Sequence, residues 1–155
     1  MRGKKAKIRQ PQKYSRYGSA LIARLINKVM QDGKKSTAEK SVYAALEAAS
    51  KEVDMQPDAF LNLIVDKLRP ALEIKSRRVG GANYSVPQPV TPARQEALSI
   101  RWLVDYARAK SGNTFESILK KELADTFKGE GDAMKKKIDV ERMAEANKAF
   151  AHFRW

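Results

Sequence analysis

The period of the apolar residues constrains the fold of this chain more than any other feature. In six segments apolar residues recur every three or four positions, which places them on one face of an α-helix. These segments are residues 21–30, 38–49, 60–68, 97–107, 115–127 and 138–150. A chain of 155 residues is the size of one domain, so we expect the six helices to share a single core.

Local signals predict where the first three helices begin and end. Gly33 is expected to end the first helix, because glycine accepts left-handed dihedrals. Ser36 and Glu39 form a capping-box pattern at the start of the second helix. Pro57 suits the first turn of the third helix and Pro70 stops it.

Similar signals frame the later helices. Thr91-Pro92 predicts a cap followed by a first-turn proline in the fourth helix. Ser111-Gly112 is expected to break that helix, and Asn113 with Glu116 resembles another capping pair. Gly129 is expected to close the fifth helix.

Residues 72–90 lose the helical period and predict a β-hairpin between the third and fourth helices. Gly80-Gly81 and the residues after it are turn material, since glycine and asparagine tolerate positive φ. Pro87 and Pro89 lack amide donors, so no further strand is expected to extend the pair. A free two-stranded hairpin is marginal in water, so we expect its base to pack on the helices and its tip to meet a partner. The predicted fold is mainly α: a basic flexible arm over residues 1–18 and a six-helix bundle-like domain over 19–155, from which the hairpin protrudes.

The net charge of +13 is concentrated rather than spread. Residues 1–35 contain 11 basic residues and one acidic residue, and residues 74–95 contain four basic residues and no acidic one. Two concentrated basic segments indicate a surface for a polyanion, with nucleic acid ahead of an anionic membrane surface. The basic residues in question include Arg2, Lys4, Lys5, Arg9, Lys75, Arg77, Arg78 and Arg94.

Each basic segment also has a simpler explanation. The arm could be a disordered tail without a role, although its interleaved tyrosines favour a segment ordered by RNA. The hairpin charges could serve only to prevent edge-to-edge aggregation, but this does not account for the lack of acids from Ile74 to Gln95. Asp32-Gly33-Lys34-Lys35-Ser36 fails the phosphate-loop pattern. Lys34 and Lys35 are therefore either backbone contacts beside a helix start or two solvated lysines.

Composition argues against catalysis. There is no cysteine and only one histidine, His152, which excludes a thiolate nucleophile, a catalytic triad and a multi-histidine metal site. We therefore predict a non-enzymatic protein without a cofactor, and no apolar run long enough to cross a membrane. Phe150, Phe153 and Trp155 could stack on bases, but helical spacing favours a core position for Phe150. A basic helical DNA-binding module is the alternative function, against which the proline-containing hairpin and the basic arm argue.

Four strings of the sequence are similar to those of bacterial small-subunit ribosomal protein seven. They are DGKKSTAE (32–39), LEIKSRRVGGANYSVP (72–87), ALSIRWLV (97–104) and KKKIDVERMAEANKAFAHFRW (135–155), in the order and spacing of that family. The resemblance extends from near Tyr17 to the end of the chain.

The resemblance implies a structural, non-enzymatic protein of the cytoplasmic ribosome. Members bind small-subunit rRNA first, nucleate assembly of the subunit head, and lie near the E-site tRNA and the mRNA exit path beside small-subunit proteins nine and eleven. By position, the resemblance implies rRNA contacts for Lys34, Lys35, the hairpin cations, Arg142 and Lys148. It places the hairpin tip near tRNA and mRNA, through Arg78, Val79, Gly80, Gly81, Ala82, Asn83 and Tyr84.

Two positions depart from the family pattern. Gln12-Lys13-Tyr14-Ser15 stands where members usually have a Pro-Asp-Pro-like element, which leaves the contacts of the arm open. Pro89 stands where the family tends to have an acidic residue. We expect Pro89 to shorten the strand pairing and to change the tilt of the hairpin.

Overall fold

The structure, a computed structural model, describes Gly3 and residues 16–153. Within this part of the chain, six α-helices surround one core, a two-stranded hairpin follows the third helix, and a 3-10 helix ends the described region. The elements are α1 (Ala20–Val29), α2 (Lys35–Glu52), α3 (Pro57–Leu68), β1 (Leu72–Val79), β2 (Ala82–Pro89), α4 (Pro92–Ala109), α5 (Phe115–Lys128), α6 (Asp132–Ala146) and the terminal 3-10 helix (Lys148–Phe153). The predicted fold class is confirmed, with the 3-10 helix as an addition.

The core is built from the apolar faces of the α-helices. Helix α2 packs mainly on α5, and α4 lies against α1, α5 and α6. The fully buried large side chains include Leu25, Leu46, Phe60, Leu103 and Leu119. Burying each such side chain contributes roughly 1.5–3 kcal/mol of hydrophobic free energy, so the shared core stabilises the domain.

The apolar stripe predicted for the last helix is only partly buried. Ile138 is 54% exposed and Met143 is 43% exposed. On α6 the buried residues are Ala133 and Ala144, which allow the helix to approach its neighbours closely. Leu63, placed in the core by its spacing on α3, is 42% exposed. Apolar spacing therefore identified these helices but not every residue of their buried faces.

Helix α1 ends at Val29, so the prediction that Gly33 ends it is wrong. The Arg108 guanidinium of α4 donates to the carbonyl oxygen of Val29 at 2.7 Å and to that of Lys28 at 3.5 Å. A side chain from another helix thus satisfies the last carbonyls of α1. Gly33, with φ of +72°, instead turns the loop that leads to α2.

Two predicted capping pairs are also corrected. The N-cap of α2 is Lys34 rather than Ser36, and the carboxylate of Glu39 pairs with Lys35 at 3.7 Å. The N-cap of α5 is Thr114, one residue after Asn113, and its hydroxyl accepts from the Ser117 amide at 3.4 Å.

Other predicted helix boundaries are confirmed. Pro57 begins α3 and Pro92 begins α4, with Thr91 at the N-cap although its side chain makes no capping hydrogen bond. Gly129 ends α5 in the left-handed conformation, with φ of 91°.

The hairpin has an uninterrupted antiparallel register from the Leu72–Pro89 pair at its base to the Val79–Ala82 pair at its tip. Its two-residue turn is Gly80-Gly81, both with positive φ, of 57° and 93°. Such a turn matches the twist of the flanking strands, and it requires residues that accept positive φ at both positions. Pairing reaches Pro89, so the expectation that this proline shortens the strand pair is wrong.

The base of the hairpin is fixed from two sides. Glu141 of α6 accepts from the Ala71 amide at 3.4 Å. The side-chain amide of Gln95 in α4 donates to the Pro70 carbonyl at 3.0 Å. Strand β1 packs on α6 and strand β2 packs on the terminal 3-10 helix. These contacts supply the support that a two-stranded sheet needs in water.

Candidate nucleic-acid interface

The two faces of the hairpin carry different side chains. Successive side chains of a strand point to opposite faces, and directly paired residues share a face. The register therefore divides the distal half of the hairpin into two sets. The inner face is defined as Lys75, Arg77, Val79, Ala82, Tyr84 and Val86. The outer face is defined as Ser76, Arg78, Asn83 and Ser85.

Glu73 neutralises two of the hairpin cations. Its carboxylate lies 3.4 Å from the ammonium of Lys75 and 3.2 Å from the guanidinium nitrogen of Arg94, and its side chain is 16% exposed. The acid-free stretch begins at Ile74, one residue after this carboxylate. The sequence therefore indicated a stretch of unpaired cations, whereas Glu73 pairs with Lys75 and Arg94 in the structure. Alternation along the strand, which places Glu73 and Lys75 on one face, was the signal that could have revealed the pair.

An aromatic cluster lies against the inner face. The Tyr84 ring is 5.3 Å from that of Phe150 and 5.1 Å from that of Phe153, centroid to centroid. Such tilted pairs contribute about 0.5–1.5 kcal/mol each beyond the area they bury. Phe150 is half-buried in this cluster and does not belong to the main helical core. Its expected core position is thus corrected to a contact between the terminal 3-10 helix and the hairpin.

The outer face is exposed in the distal half of the hairpin, whereas Ile74 and Pro87, which continue this side of the sheet at the base, are half-buried and buried. Ser76, Arg78, Asn83 and Ser85 are all exposed. Arg78 forms no ion pair within residues 16–153. A guanidinium presents several donors in a planar fork that matches a phosphate, and the neighbouring hydroxyls and amide can bond to ribose and phosphate oxygens. This face therefore carries groups that can bind the phosphates and riboses of a nucleic-acid backbone.

The tip beyond these faces is sterically open. A Cβ built on Gly80 or Gly81 meets no atom within 4 Å. Glycine is favoured at these two positions because their φ is positive, and not because the protein packs closely around them. The turn leaves its backbone accessible to another molecule.

Lys34 and Lys35 lie far from the hairpin. With Arg108 at the end of α4, Lys34 lines a cleft of about 460 Å³ at the start of α2. Arg94, beside the base of the hairpin, is 14 residues before Arg108 on the same helix, which corresponds to about 21 Å along the axis. The structure therefore places Lys34 and Lys35 at one end of α4, as a second site, and the cations of the hairpin at the other. Arg108 joins the second site and was not identified from the sequence.

The two lysines of this second site have weak partners. Lys34 is 3.9 Å from Asp32 with its side chain 72% exposed, and Lys35 is 3.7 Å from Glu39. Surface pairs of this kind contribute about 0–1 kcal/mol and are screened by salt. Both ammonium groups are accordingly available to an anion that competes for them.

The C-terminal candidates lie near the base of the hairpin. Arg142 is exposed and pairs with Asp139 at 2.8 Å on the surface of α6. Lys148 is exposed at the start of the terminal 3-10 helix and lines a groove of about 480 Å³. Pro87, Pro89 and Glu145 also line this groove, between the hairpin and α6. Arg142 and Lys148 therefore lie at the end of the molecule that carries the hairpin.

A buried ionic cluster fixes the other end of α6. The fully buried carboxylate of Glu122 accepts from the Ala133 amide at 2.9 Å and from the Lys110 ammonium at 2.6 Å. Lys110 also lies 2.8 Å from Asp132. Burial lowers the pKa of Lys110, but the hydrogen bonds to Asp132 and Glu122 outweigh it and hold that pKa above its ordinary value of 10.5. The first turn of α6 is therefore tied to both α4 and α5.

Several predicted contact residues lie outside the described part of the chain, namely Arg2, Lys4, Lys5 and Arg9, and also Tyr14 and Trp155. The described side chains include no group of three or more potential ligands that could hold a metal ion. No helix within the described ranges combines the length and apolar character needed to cross a membrane.

Comparison with known proteins gives one consistent family. The family described as ribosomal protein S7p/S5e matches residues 1–148. The small ribosomal subunit protein uS7 of Kocuria rhizophila is 51% identical over 139 residues, which cover 90% of this chain and 89% of that protein. The proteins of the same name from Micrococcus luteus and Bifidobacterium longum are 52% and 50% identical over the same shares.

Proposed function

This chain belongs to the ribosomal protein S7p/S5e family and is a non-enzymatic structural constituent of the small ribosomal subunit, and from this premise we propose that it nucleates assembly of the subunit head by binding rRNA at two separate sites. Binding to rRNA is general for the family, and its bacterial members are components of the cytoplasmic ribosome. The hairpin, with Arg94, Arg142 and Lys148 near its base, forms the first site. Lys34, Lys35 and Arg108 form the second.

The observation that carries the proposal is the separation of the two sites by about 21 Å along α4. Two phosphate-binding sites held at a fixed distance by one core select RNA helices with that relative placement. Later proteins can then bind to a junction whose geometry is already set. Recognition would depend mainly on RNA shape and on the 2′-hydroxyl and phosphate groups, as is usual for structured RNA.

We also propose contacts for the N-terminal arm and for the tip of the hairpin. Arg2, Lys4, Lys5 and Arg9 add phosphate contacts through counterion release, whose contribution falls as salt is raised. Arg78, Val79, Gly80, Gly81, Ala82, Asn83 and Tyr84 lie near the E-site tRNA and the mRNA exit path. Neighbouring small-subunit proteins nine and eleven contact the assembled protein. The open backbone of the glycine turn supports the close approach of a nucleic acid to the tip.

Equilibrium binding to an rRNA fragment of the head domain, over a salt series, tests this function. A scrambled RNA of equal length and a DNA duplex serve as controls. We expect tight binding to the native fragment alone, with a steep dependence of affinity on salt. Equal affinity for the native and scrambled RNAs would contradict shape-specific recognition, and preference for the duplex would favour the DNA-binding alternative.

A further inference from the structure

We infer that the outer face of the hairpin, Ser76, Arg78, Asn83 and Ser85, is the surface that contacts a ribose-phosphate backbone, whereas the inner face serves to hold the hairpin in place. This inference rests on the proposed function and deepens it by assigning the contact to one side of the sheet. It assigns different roles to Arg77 and Arg78, which are adjacent arginines that the sequence alone does not distinguish.

Part of the inner face is already covered by another element of the protein. Tyr84 on this face packs against Phe150 and Phe153 of the terminal 3-10 helix. Its cross-strand partner Arg77 is half-buried and interacts with another group of the protein. An RNA strand could approach this part of the face only by displacing the 3-10 helix.

The two faces also differ in the positive charge that is available to a phosphate. On the inner face Lys75 is already paired with Glu73, and the same carboxylate holds Arg94 at the base of the hairpin. On the outer face Arg78 stands without an ion-pair partner among the described residues. An unpaired guanidinium binds a phosphate without first giving up an intramolecular carboxylate, so its contact is favoured over one from a paired lysine.

Arg78 is surrounded on the outer face by polar, uncharged side chains. Its cross-strand neighbour is Asn83, and the Ser76–Ser85 pair lies two residues closer to the base of the hairpin on the same face. Hydroxyl and amide groups next to a guanidinium suit the alternating phosphates and 2′-hydroxyls of an RNA strand. The outer face has no acidic side chain that would repel the phosphates.

Single cysteines provide a direct test, because the chain has no cysteine of its own. Ser85→Cys places a thiol on the outer face, and Ala82→Cys places one on the inner face three residues away, both at exposed positions. The rate of alkylation of each thiol is measured on the full chain, free and bound to the head-domain rRNA fragment. We expect RNA to slow alkylation at residue 85 at least tenfold and at residue 82 less than twofold.

Salt dependence gives a second readout. Arg78→Ala should weaken binding and lower the slope of log affinity against log salt by about 1, as the loss of one phosphate contact requires. Arg77→Ala should leave the slope unchanged. A circular dichroism spectrum and an unfolding curve show that each variant is folded before it is used.

The outcomes separate this inference from the proposed function. Wild-type binding that does not distinguish native from scrambled RNA would contradict the proposed function itself. Specific wild-type binding with protection of residue 82 instead of 85, of both, or of neither would overturn the assignment of the outer face and leave the proposed function standing. A slope that falls for Arg77→Ala but not for Arg78→Ala would overturn it as well.

Discussion

Arg77 and Arg78 project from opposite faces of the hairpin, because successive side chains of a strand alternate between its two faces. Arg77 shares its face with its cross-strand partner Tyr84, and Arg78 shares the other face with Asn83. One guanidinium lies on the side that packs against the terminal 3-10 helix, and the other lies on the exposed side. A double substitution of both arginines would therefore combine two different effects. Single substitutions are needed to interpret a loss of RNA affinity.

Glu73→Gln should increase RNA affinity while lowering stability only slightly. The change releases Arg94, which belongs to the first proposed rRNA site, from the carboxylate that it shares with Lys75 of the inner face, and it raises the net charge by one. Partly exposed ion pairs contribute about 0–1 kcal/mol, so the free energy of unfolding in urea should fall by no more than this. Glu130→Gln makes the same charge change at an exposed residue that forms no ion pair within the described residues. Equal gains in affinity from both substitutions would show that only net charge matters.

Tyr84→Ala should loosen the hairpin without unfolding the helical core. The substitution removes two aromatic contacts to the terminal 3-10 helix, each worth about 0.5–1.5 kcal/mol. Amide hydrogen exchange at residues 74–86 should accelerate, while exchange in α2 and α5 stays slow, because the hairpin opens separately from the core. Tyr84→Phe keeps the ring and should behave as the wild type. Uniform acceleration across all elements would contradict this separation.

Glu122→Ala should destabilise the whole domain. The Ala133 amide would lose its acceptor and Lys110 would lose one of its two carboxylates. Removal of one partner from a buried ion pair typically costs about 3–5 kcal/mol, and the partial exposure of Lys110 places this case at the lower end. Urea unfolding measures the change, with the exposed Glu130→Ala as control. A loss below about 1 kcal/mol would show that water replaces the carboxylate at this site.

Gly131→Ala should destabilise the domain through a collision rather than through backbone strain. The φ of Gly131 is −60°, which any residue adopts, but an added Cβ would lie 2.5 Å from the Thr126 hydroxyl oxygen and 2.9 Å from a Glu122 carboxylate oxygen. Crowding of this kind typically costs about 1–3 kcal/mol. Thr126→Ala in the same chain should recover part of the loss by removing the hydroxyl. A double-mutant cycle of urea unfolding measures this coupling, and strict additivity would argue against the collision.

Asp132 should make stability depend on pH in the acidic range. Hydrogen bonds from Lys110 and Lys135 lower the pKa of its carboxyl below the ordinary value of 3.8. A lowered pKa in the folded state means that the stabilisation is complete above about pH 5, begins to fall near the ordinary value of 3.8 and is lost as the pH falls through the folded value. The difference in unfolding free energy between wild type and Asp132→Asn should be constant near neutrality and should shrink below pH 4. A difference that grows on acidification would reverse the sign of this linkage.

The sequence by itself determined the type of nearly every element. Apolar spacing identified the six helices, because burial of one helix face depends on local order along the chain. Gly80-Gly81 and the two prolines identified the hairpin and its turn, since these residues restrict the backbone without help from the rest of the fold. The concentration of charge pointed to a nucleic-acid partner, which family membership supports.

The tertiary structure decided how these elements use their side chains. Arg108 donates to the last carbonyl of α1 from 79 residues away, Glu73 pairs with Arg94 from 21 residues away, and Glu122 accepts from the first turn of α6. Tyr84 and Phe150 meet only because β2 packs on the terminal 3-10 helix. Local patterns cannot specify such contacts, since they depend on which surfaces face each other after the core has formed. Net charge is a property of the sequence, but which cations remain unpaired is a property of the fold.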